Sequence, residues 1–244
     1  MYIHDYFQAV EDLFAAIRST QADAIFRAGL AVATSMSQKG VIHVMDTGHL
    51  LRHEAFYRAG GLMSIVPFDF NFSVESPVVH RPVERTPEDE EALIARRVGV
   101  AMDSSNMTFG DVLIINSNSG RTTNVIEAAL QCDGRGICTI GIASSRQMER
   151  CAAVHPSGLK LFDVCDFCID NCGPFGDAMV EVKDNEKMCP ASGMAAAYIL
   201  WAIQAEAVDI LQSRGINPSI FRSVHVSGEE YIEKQRERFF EQGV

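Results

Sequence analysis

Apolar and polar residues follow two alternating periods along this chain. Over residues 2–38 the period is helical: Tyr6, Val10, Leu13, Phe14 and Ile17 recur on one stripe, Ser19 and Thr20 interrupt it, and from Gln21 it resumes through Ile25, Leu30, Val32 and Met36. Two helices are predicted there, their apolar stripes serving as packing surface. Short, β-branched apolar runs then predict buried strands at Val41–Met45, Leu62–Pro67, Val112–Ile115, Gly136–Ile142 and Leu161–Ile169. Helical spacing returns between them. Leu50–Ala59 is predicted as a helix closed by Gly60-Gly61, completing a right-handed βαβ unit. Pro87 opens a helix reaching about Met102, with Glu88, Asp89, Glu90 and Glu91 at the positive end of its dipole. From Thr122, Val125, Ile126, Ala129 and Leu130 share one face, and Ser144–Ala153 is a shorter helix.

Three further features complete the pattern. Phe68–Glu88 has no period and contains Pro77, Pro82 and Pro87, which predicts a surface excursion of the kind that edges sites. Asp170–Asp177 is a dense turn, followed by a short extra strand at Ala178–Val182. Ala191–Gln212 is a long helix nearly encircled by apolar residues, expected in a core or a subunit contact; Gly215 ends it, and a charged helix, Glu229–Gln242, closes the chain. Strands alternating with helices predict an α/β fold with a parallel sheet covered on both faces. Ligands of such sheets sit beyond the strand carboxyl ends, where the strand order reverses. Three polar turns fall on that rim: Asp46-Thr47-Gly48-His49, Asn116-Ser117-Asn118-Ser119-Gly120 and Asp170–Asp177.

The second turn carries the strongest chemical signal. A strand feeding a helix through a Ser/Gly turn leaves unpaired N–H groups at the helix start, and the dipole favours an anion there. One N-cap needs one hydroxyl. Here Ser117, Ser119, Thr122 and Thr123 cluster, with Arg121 placed to pair with an anion or to project into solvent. We read the turn as the holder of a phosphate or similar anion.

Composition narrows the classes. At 244 residues and 47% hydrophobic, the chain supports a sizeable core. No apolar run is read as reaching the roughly 20 residues that cross a bilayer. The start, MYIHDYFQAVEDLF, lacks the basic region of a signal peptide, so a cytoplasmic location is expected. A net charge of −11 argues against nucleic-acid or membrane-surface partners, and leaves an anionic ligand to local N–H groups, hydroxyls and a few arginines. The 7 cysteines read as reduced thiols. Cys165, Cys168 and Cys172 have metal-like spacing, but a strand over Val164–Ile169 sends the first two to opposite faces, so core thiols are expected and no metal.

Ser117-Asn118-Ser119-Gly120 resembles the sugar-binding turn of the sugar isomerase (SIS) domain family, and Ile42–Leu62 and Asn171–Val182 resemble further segments of small bacterial members. The similarity covers most of the chain. It implies a three-layer αβα sandwich with a five-stranded parallel sheet, residues 1–244 forming one SIS domain with 1–38 as an added helical layer. It also implies a homodimer or homotetramer, and a sugar or sugar phosphate as ligand. Members include aldose–ketose isomerases, a sugar-ether lyase and sugar-sensing regulators, so an isomerase working without an organic cofactor stands beside two alternatives: a non-catalytic phosphosugar sensor, and an amino-sugar-phosphate lyase or etherase. The family's first loop is usually glycine-rich and often ends in serine. Here Asp46 replaces the first glycine and Leu50 the serine; the carboxylate would repel a phosphate or bind sugar hydroxyls, which opens sulfonated and unphosphorylated sugars as substrates.

Isomerisation moves a proton between C1 and C2 through an enediol and needs a base and a ring-opening group. The resemblance points to Glu54 as the base and to His225 as a catalytic histidine. His49 lies on the first loop with His53 one turn later; His49 is the ring-opening or hydroxyl-binding candidate, and His53 binds substrate or packs. Glu127, two turns beyond Gly120, reads as an exposed or interface residue before a site residue. Asp46, Thr47, Gly48, Asn116, Asn118 and Asp177 complete the expected binding set, with turn capping the equal reading for Asp177.

Overall fold

A computed structural model describes residues 1–75 and 84–244. Of the Phe68–Glu88 excursion, residues 76–83, with Pro77 and Pro82, lie outside the described residues. Helices α1 (Tyr2–Thr20) and α2 (Ala22–Ser37) come first, then β1 (Ile42–Asp46), α3 (Leu51–Glu54), β2 (Ile65–Pro67), α4 (Pro87–Ser104), β3 (Val112–Asn116) and α5 (Thr123–Asp133). There follow β4 (Cys138–Ala143), α6 (Ser145–Arg150), α7 (Leu161–Val164), β5 (Phe167–Asp170), β6 (Ala178–Glu181), β7 (Lys187–Pro190), α8 (Ser192–Ser213) and α9 (Val224–Gln242).

The five main strands form one parallel sheet in the order β2-β1-β3-β4-β5. The pleat sorts their side chains into two cores. Ile42, Val44, Val112, Ile114, Ile140, Ile142 and Ile169 pack against α1, α2 and α8. Met45, Leu113, Ile115 and Ala143 pack on the other face against α4 and α5. All five residues of β3 are buried, as its central position requires. Each fully buried isoleucine contributes about 1.5–3 kcal/mol, so the two faces of β3 and β4 supply much of the driving force for folding. The molecule is therefore a three-layer αβα sandwich. On α8 the buried positions Ala195, Ala196, Ile199, Leu200, Ile203, Ala207 and Leu211 form the helical stripe that meets α2. Gly29 lets the two helices touch: a Cβ there would lie 2.7 Å from Glu206 Cβ. A capping box between Thr86 and Asp89 starts α4, with Pro87 in its first turn.

Several sequence expectations need correction. The helix expected over Leu50–Ala59 is one turn, Leu51–Glu54, and the strand expected over Leu62–Pro67 is only Ile65–Pro67. Tertiary pairing explains both: Gly60 N–H donates to Phe221 O at 2.8 Å, Phe221 N–H to Gly61 O at 2.9 Å and Met63 N–H to Ser219 O at 3.0 Å, drawing this segment out of helix and sheet. Tyr57, at φ 56, makes the bend, so Gly60-Gly61 is not a helix cap. The strand expected from Leu161 begins with α7 instead, because Asp163 accepts from Lys160 N–H at 2.8 Å and caps a turn of helix ahead of β5. Ser144–Ala153 shortens to α6, with Ser144 as its N-cap. Leu130, expected on the buried face of α5, is 38% exposed. The strand β7, which pairs antiparallel with β6, has no apolar run to reveal it. Among the described residues one helix, α8, is long and apolar enough to cross a membrane, against the reading that no run approaches that length; here it is the core helix beneath the sheet.

Candidate functional site

The strand order reverses between β1 and β3, and the three polar turns meet there. A cleft of about 350 Å³ is lined by Thr47, Gly48 and His49 from the first turn, and by Asn116, Ser117, Asn118, Ser119 and Thr122 from the second. Asp177 and the first turn of α8, Ser192 and Gly193, close it. This is the switch-point crevice of an open parallel sheet.

The first turn is tied by Asp46. Its Oδ1 accepts from Gly48 N–H at 2.9 Å and Asn116 Nδ2 at 2.7 Å, and its Oδ2 accepts from Arg52 N–H at 3.1 Å. Thr47 adds two bonds to Asn116 O, from its N–H at 3.0 Å and its hydroxyl at 3.1 Å. The carboxylate thus folds the loop over the start of α3 and clamps it to β3. Asp46 does not line the cleft, and both of its oxygens accept bonds within its own loop and from β3. Leu50, in place of the usual serine, packs on the start of α8: a Cβ at Gly193 would lie 3.1 Å from Leu50 Cβ.

The second turn keeps its donors free. Gly120 sits at φ 55, and a Cβ there would come within 2.6 Å of Met148 Sδ, so only glycine fits. Gly120 N–H donates to Ser117 O at 3.0 Å and closes the turn. Asn118 fixes it laterally: its carbonyl accepts from Ser144 N–H at 3.0 Å and its Oδ1 from Asn171 Nδ2 at 2.9 Å. Asn171 is fully buried and its Oδ1 in turn accepts from Gly173 N–H at 2.8 Å. Among the described residues, the hydroxyls of Ser117, Ser119 and Thr122 have no protein partner, nor do the N–H groups of Ser119, Thr123 and Asn124. The backbone is held while the donors that face the cleft are uncommitted. That arrangement favours a multiply accepting anion at the start of α5.

Asp177 works as a helix cap. Held at φ 69, it accepts from Ala191 N–H at 3.1 Å, Ser192 N–H at 2.7 Å and Ser192 Oγ at 2.8 Å, neutralising the start of α8. Among the described residues no arginine or lysine lines the cleft. Arg121, expected to pair with the anion or to project into solvent, donates to Ala152 O at 3.2 Å and does not line it. His49 is exposed and is the one titratable lining residue without an internal partner among the described residues.

The remaining candidates lie outside the lining. Glu54 ends α3 and pairs with Arg58 at 2.6 Å, its side chain 28% exposed. His53 is exposed on α3, and His225 is exposed on the first turn of α9. Glu127 accepts from His155 Nε2 at 2.9 Å and from Gln131 Nε2 at 3.3 Å; with His155 Nδ1 2.6 Å from Ser157 Oγ, it pins the loop after α6 to α5. Ser192 and Gly193 escaped sequence reasoning, because their place in the site depends on how α8 docks. Cys165, Cys168 and Cys172 are half-buried, with Cys165 between α7 and β5 rather than in a strand. Cys168 Sγ donates to Phe162 O at 3.4 Å and Cys172 Sγ to Asp170 O at 3.6 Å. Burial pushes all three thiols up.

Comparison with known proteins agrees with this architecture. The sequence profile of the SIS domain matches residues 5–144, more than half of the chain. A UPF0309 protein of Caldanaerobacter subterraneus subsp. tengcongensis is 30% identical over 252 residues, covering 98% of this chain and 97% of its own. A UPF0309 protein of Streptomyces griseus subsp. griseus is 33% identical over 230 residues, covering 91% and 88%. Among solved structures, phosphoheptose isomerase from Neisseria gonorrhoeae superposes with a TM-score of 0.50 at 14% identity, over 86% of this chain and 97% of that one; the likeness is one of fold.

Proposed function

The chain belongs to the SIS domain family, and on that premise we propose that it binds a sugar phosphate in the switch-point cleft and interconverts its aldose and ketose forms. The observation that carries the reading is the set of uncommitted donors, the hydroxyls of Ser117, Ser119 and Thr122 with the N–H groups at the start of α5, gathered where no arginine or lysine lines the wall among the described residues. A phosphate has enough lone pairs to meet them all, and the helix start favours its charge. The Asp46 carboxylate is turned into its own loop and its neighbouring strand, so it does not stand against an anion at the start of α5.

The reaction balances within the substrate. A base takes the proton from C2 of the open aldose while the C1 oxygen gains one, giving an enediol; protonation at C1 and loss of the proton on O2 give the ketose. No electron leaves the molecule, so no organic cofactor is called for. His49, on the cleft wall, serves ring opening. Glu54, one turn further along the chain, is the proposed base. Its partner Arg58 is 52% exposed, and a pair of that kind is worth only about 0.2–1 kcal/mol, so releasing the carboxylate toward substrate is inexpensive. The reading includes a homodimer or homotetramer, in which His225 serves a neighbouring cleft.

A second reading, binding without turnover, draws on the absence of any unengaged carboxylate from the lining among the described residues. Incubation with hexose, heptose and amino-sugar phosphates in heavy water separates the two. Isomerisation exchanges carbon-bound hydrogen for deuterium, and Glu54→Gln abolishes the exchange while sparing binding. A ligand bound with neither deuterium exchange nor ketose product in the wild-type protein would reject the isomerase and leave the sensor. An unsaturated or shortened product would instead identify a lyase.

A further inference from the structure

The loop between α6 and α7 carries a side-chain relay, and none of its three members lines the switch-point cleft. His155-Pro156-Ser157-Gly158 is a tight turn, closed by Gly158 N–H donating to His155 O at 2.9 Å, with Gly158 at φ 73. The turn sets Ser157 against the His155 ring: its N–H donates to Nδ1 at 3.1 Å, and its Oγ lies 2.6 Å from the same nitrogen. A backbone N–H can only donate, so Nδ1 is an acceptor and the ring proton sits on Nε2. The Ser157 hydroxyl therefore donates to Nδ1, and Nε2–H donates to Glu127 Oε1 at 2.9 Å. Both protons point one way, from serine to histidine to carboxylate. Burial is graded along the same line. Ser157 is exposed, while the side chains of His155 and Glu127 are 8% and 18% exposed. Among the described residues, no other hydroxyl donates to a histidine. A nucleophile within hydrogen-bond reach of a base, with the base oriented by a third group, is the arrangement that activates serine.

We propose that Ser157 is a nucleophile that takes an acyl group from small activated carboxylic esters. Its Oγ attacks the carbonyl carbon while its proton passes to His155 Nδ1. The bond from that carbon to the leaving oxygen then breaks, and the leaving oxygen takes the proton from Nδ1. The products are an acyl-serine and an alcohol, with no electron transferred to any other group. Glu127 is a positioning residue: it holds the ring in the tautomer that accepts at Nδ1, and its charge balances the imidazolium that forms between the two steps. Leu159 N–H, donating to Ser157 Oγ at 3.2 Å, supports negative charge on the attacking oxygen.

The test is to incubate the full-length protein with 4-nitrophenyl acetate, following nitrophenolate release and mapping acetyl groups by peptide mass spectrometry. Mapping separates an ester at Ser157 from acetyl on lysines, the N-terminus and thiols. Ser157 should be the serine acetylated first, and no later than the exposed lysines. His155→Gln keeps the hydroxyl but removes the base, and should slow acetylation of Ser157 about a hundredfold. Glu127→Gln keeps an acceptor for Nε2–H but removes the charge, and should slow it at least about tenfold while the protein stays folded by circular dichroism. This second variant keeps the test sound if the substitution at buried His155 misfolds. Ser157→Ala, on the surface, should remove the fast phase of nitrophenolate release. An unmodified Ser157 in wild-type protein whose lysines carry acetyl overturns the proposal. So does acetylation of Ser157 at the wild-type rate in a folded His155→Gln or Glu127→Gln protein.

Discussion

Replacing Asp46 by alanine tests the reading of the first turn most sharply. The substitution removes three hydrogen bonds to one carboxylate, from Gly48 N–H, Arg52 N–H and Asn116 Nδ2. A hydrogen bond to a charged group contributes about 1.5–3 kcal/mol net, but water can reach the exposed Gly48 and Arg52 donors and replace most of theirs, which sets the sum at about 2–3 kcal/mol. For a chain of this size that corresponds to a fall in Tm of about 4–12 °C. Asp46→Asn retains an oxygen for Gly48 and Asn116 but turns an amide toward Arg52 N–H, so a loss of about 1 kcal/mol is expected. Thermal and urea unfolding without ligand measure both. If Asp46→Ala melts with the wild type, the carboxylate does not hold the loop, and its role as a direct sugar ligand returns.

Other outcomes follow from the same geometry. Gly120→Ala forces a Cβ to 2.6 Å from Met148 Sδ at φ 55, and unfolding should show a loss of about 1–3 kcal/mol together with weaker anion binding. His43, buried and 3.3 Å from Asp111, has its pKa lowered from 6.5 chiefly by burial. The unfolded chain therefore takes up this proton first, so the group is neutral to stability above about pH 6.5 and costs stability as pH falls below it; His43→Gln should flatten that part of a Tm-against-pH profile. Burial pushes the Cys132 and Cys138 thiols up to about 12, so native protein treated with iodoacetamide at pH 8 should keep both unmodified by mass spectrometry, while unfolded protein alkylates fully.

The sheet and the polar turns at its rim were legible from short-range pattern. Val112–Asn116 and the turn after it carry strand, turn and helix signals within a dozen residues, and the fold uses each as written. What the sequence hid depends on distant partners. The helix after Leu50 stops at Glu54 because residues 60–63 pair with 219–221, which no local period announces. Likewise Asp46 read as a ligand candidate because one of its donors, Asn116 Nδ2, reaches it only when β1 and β3 lie side by side. Asp177 could be read either way until α8 docked above it; its oxygens then resolved as a cap. Glu54 and His225 were carried by resemblance to a family, and neither reaches the cleft wall of the single chain.

The central claim is that the free donors at the switch point hold a phosphate. Isothermal titration of wild-type protein and Ser119→Ala with sugar phosphates, each beside its dephosphorylated sugar, tests it most directly. Saturable binding of a sugar phosphate, at least about tenfold tighter than its parent sugar and weakened about tenfold by Ser119→Ala, is the result expected. Equal binding of phosphorylated and free sugar, or affinity indifferent to Ser119, would contradict it.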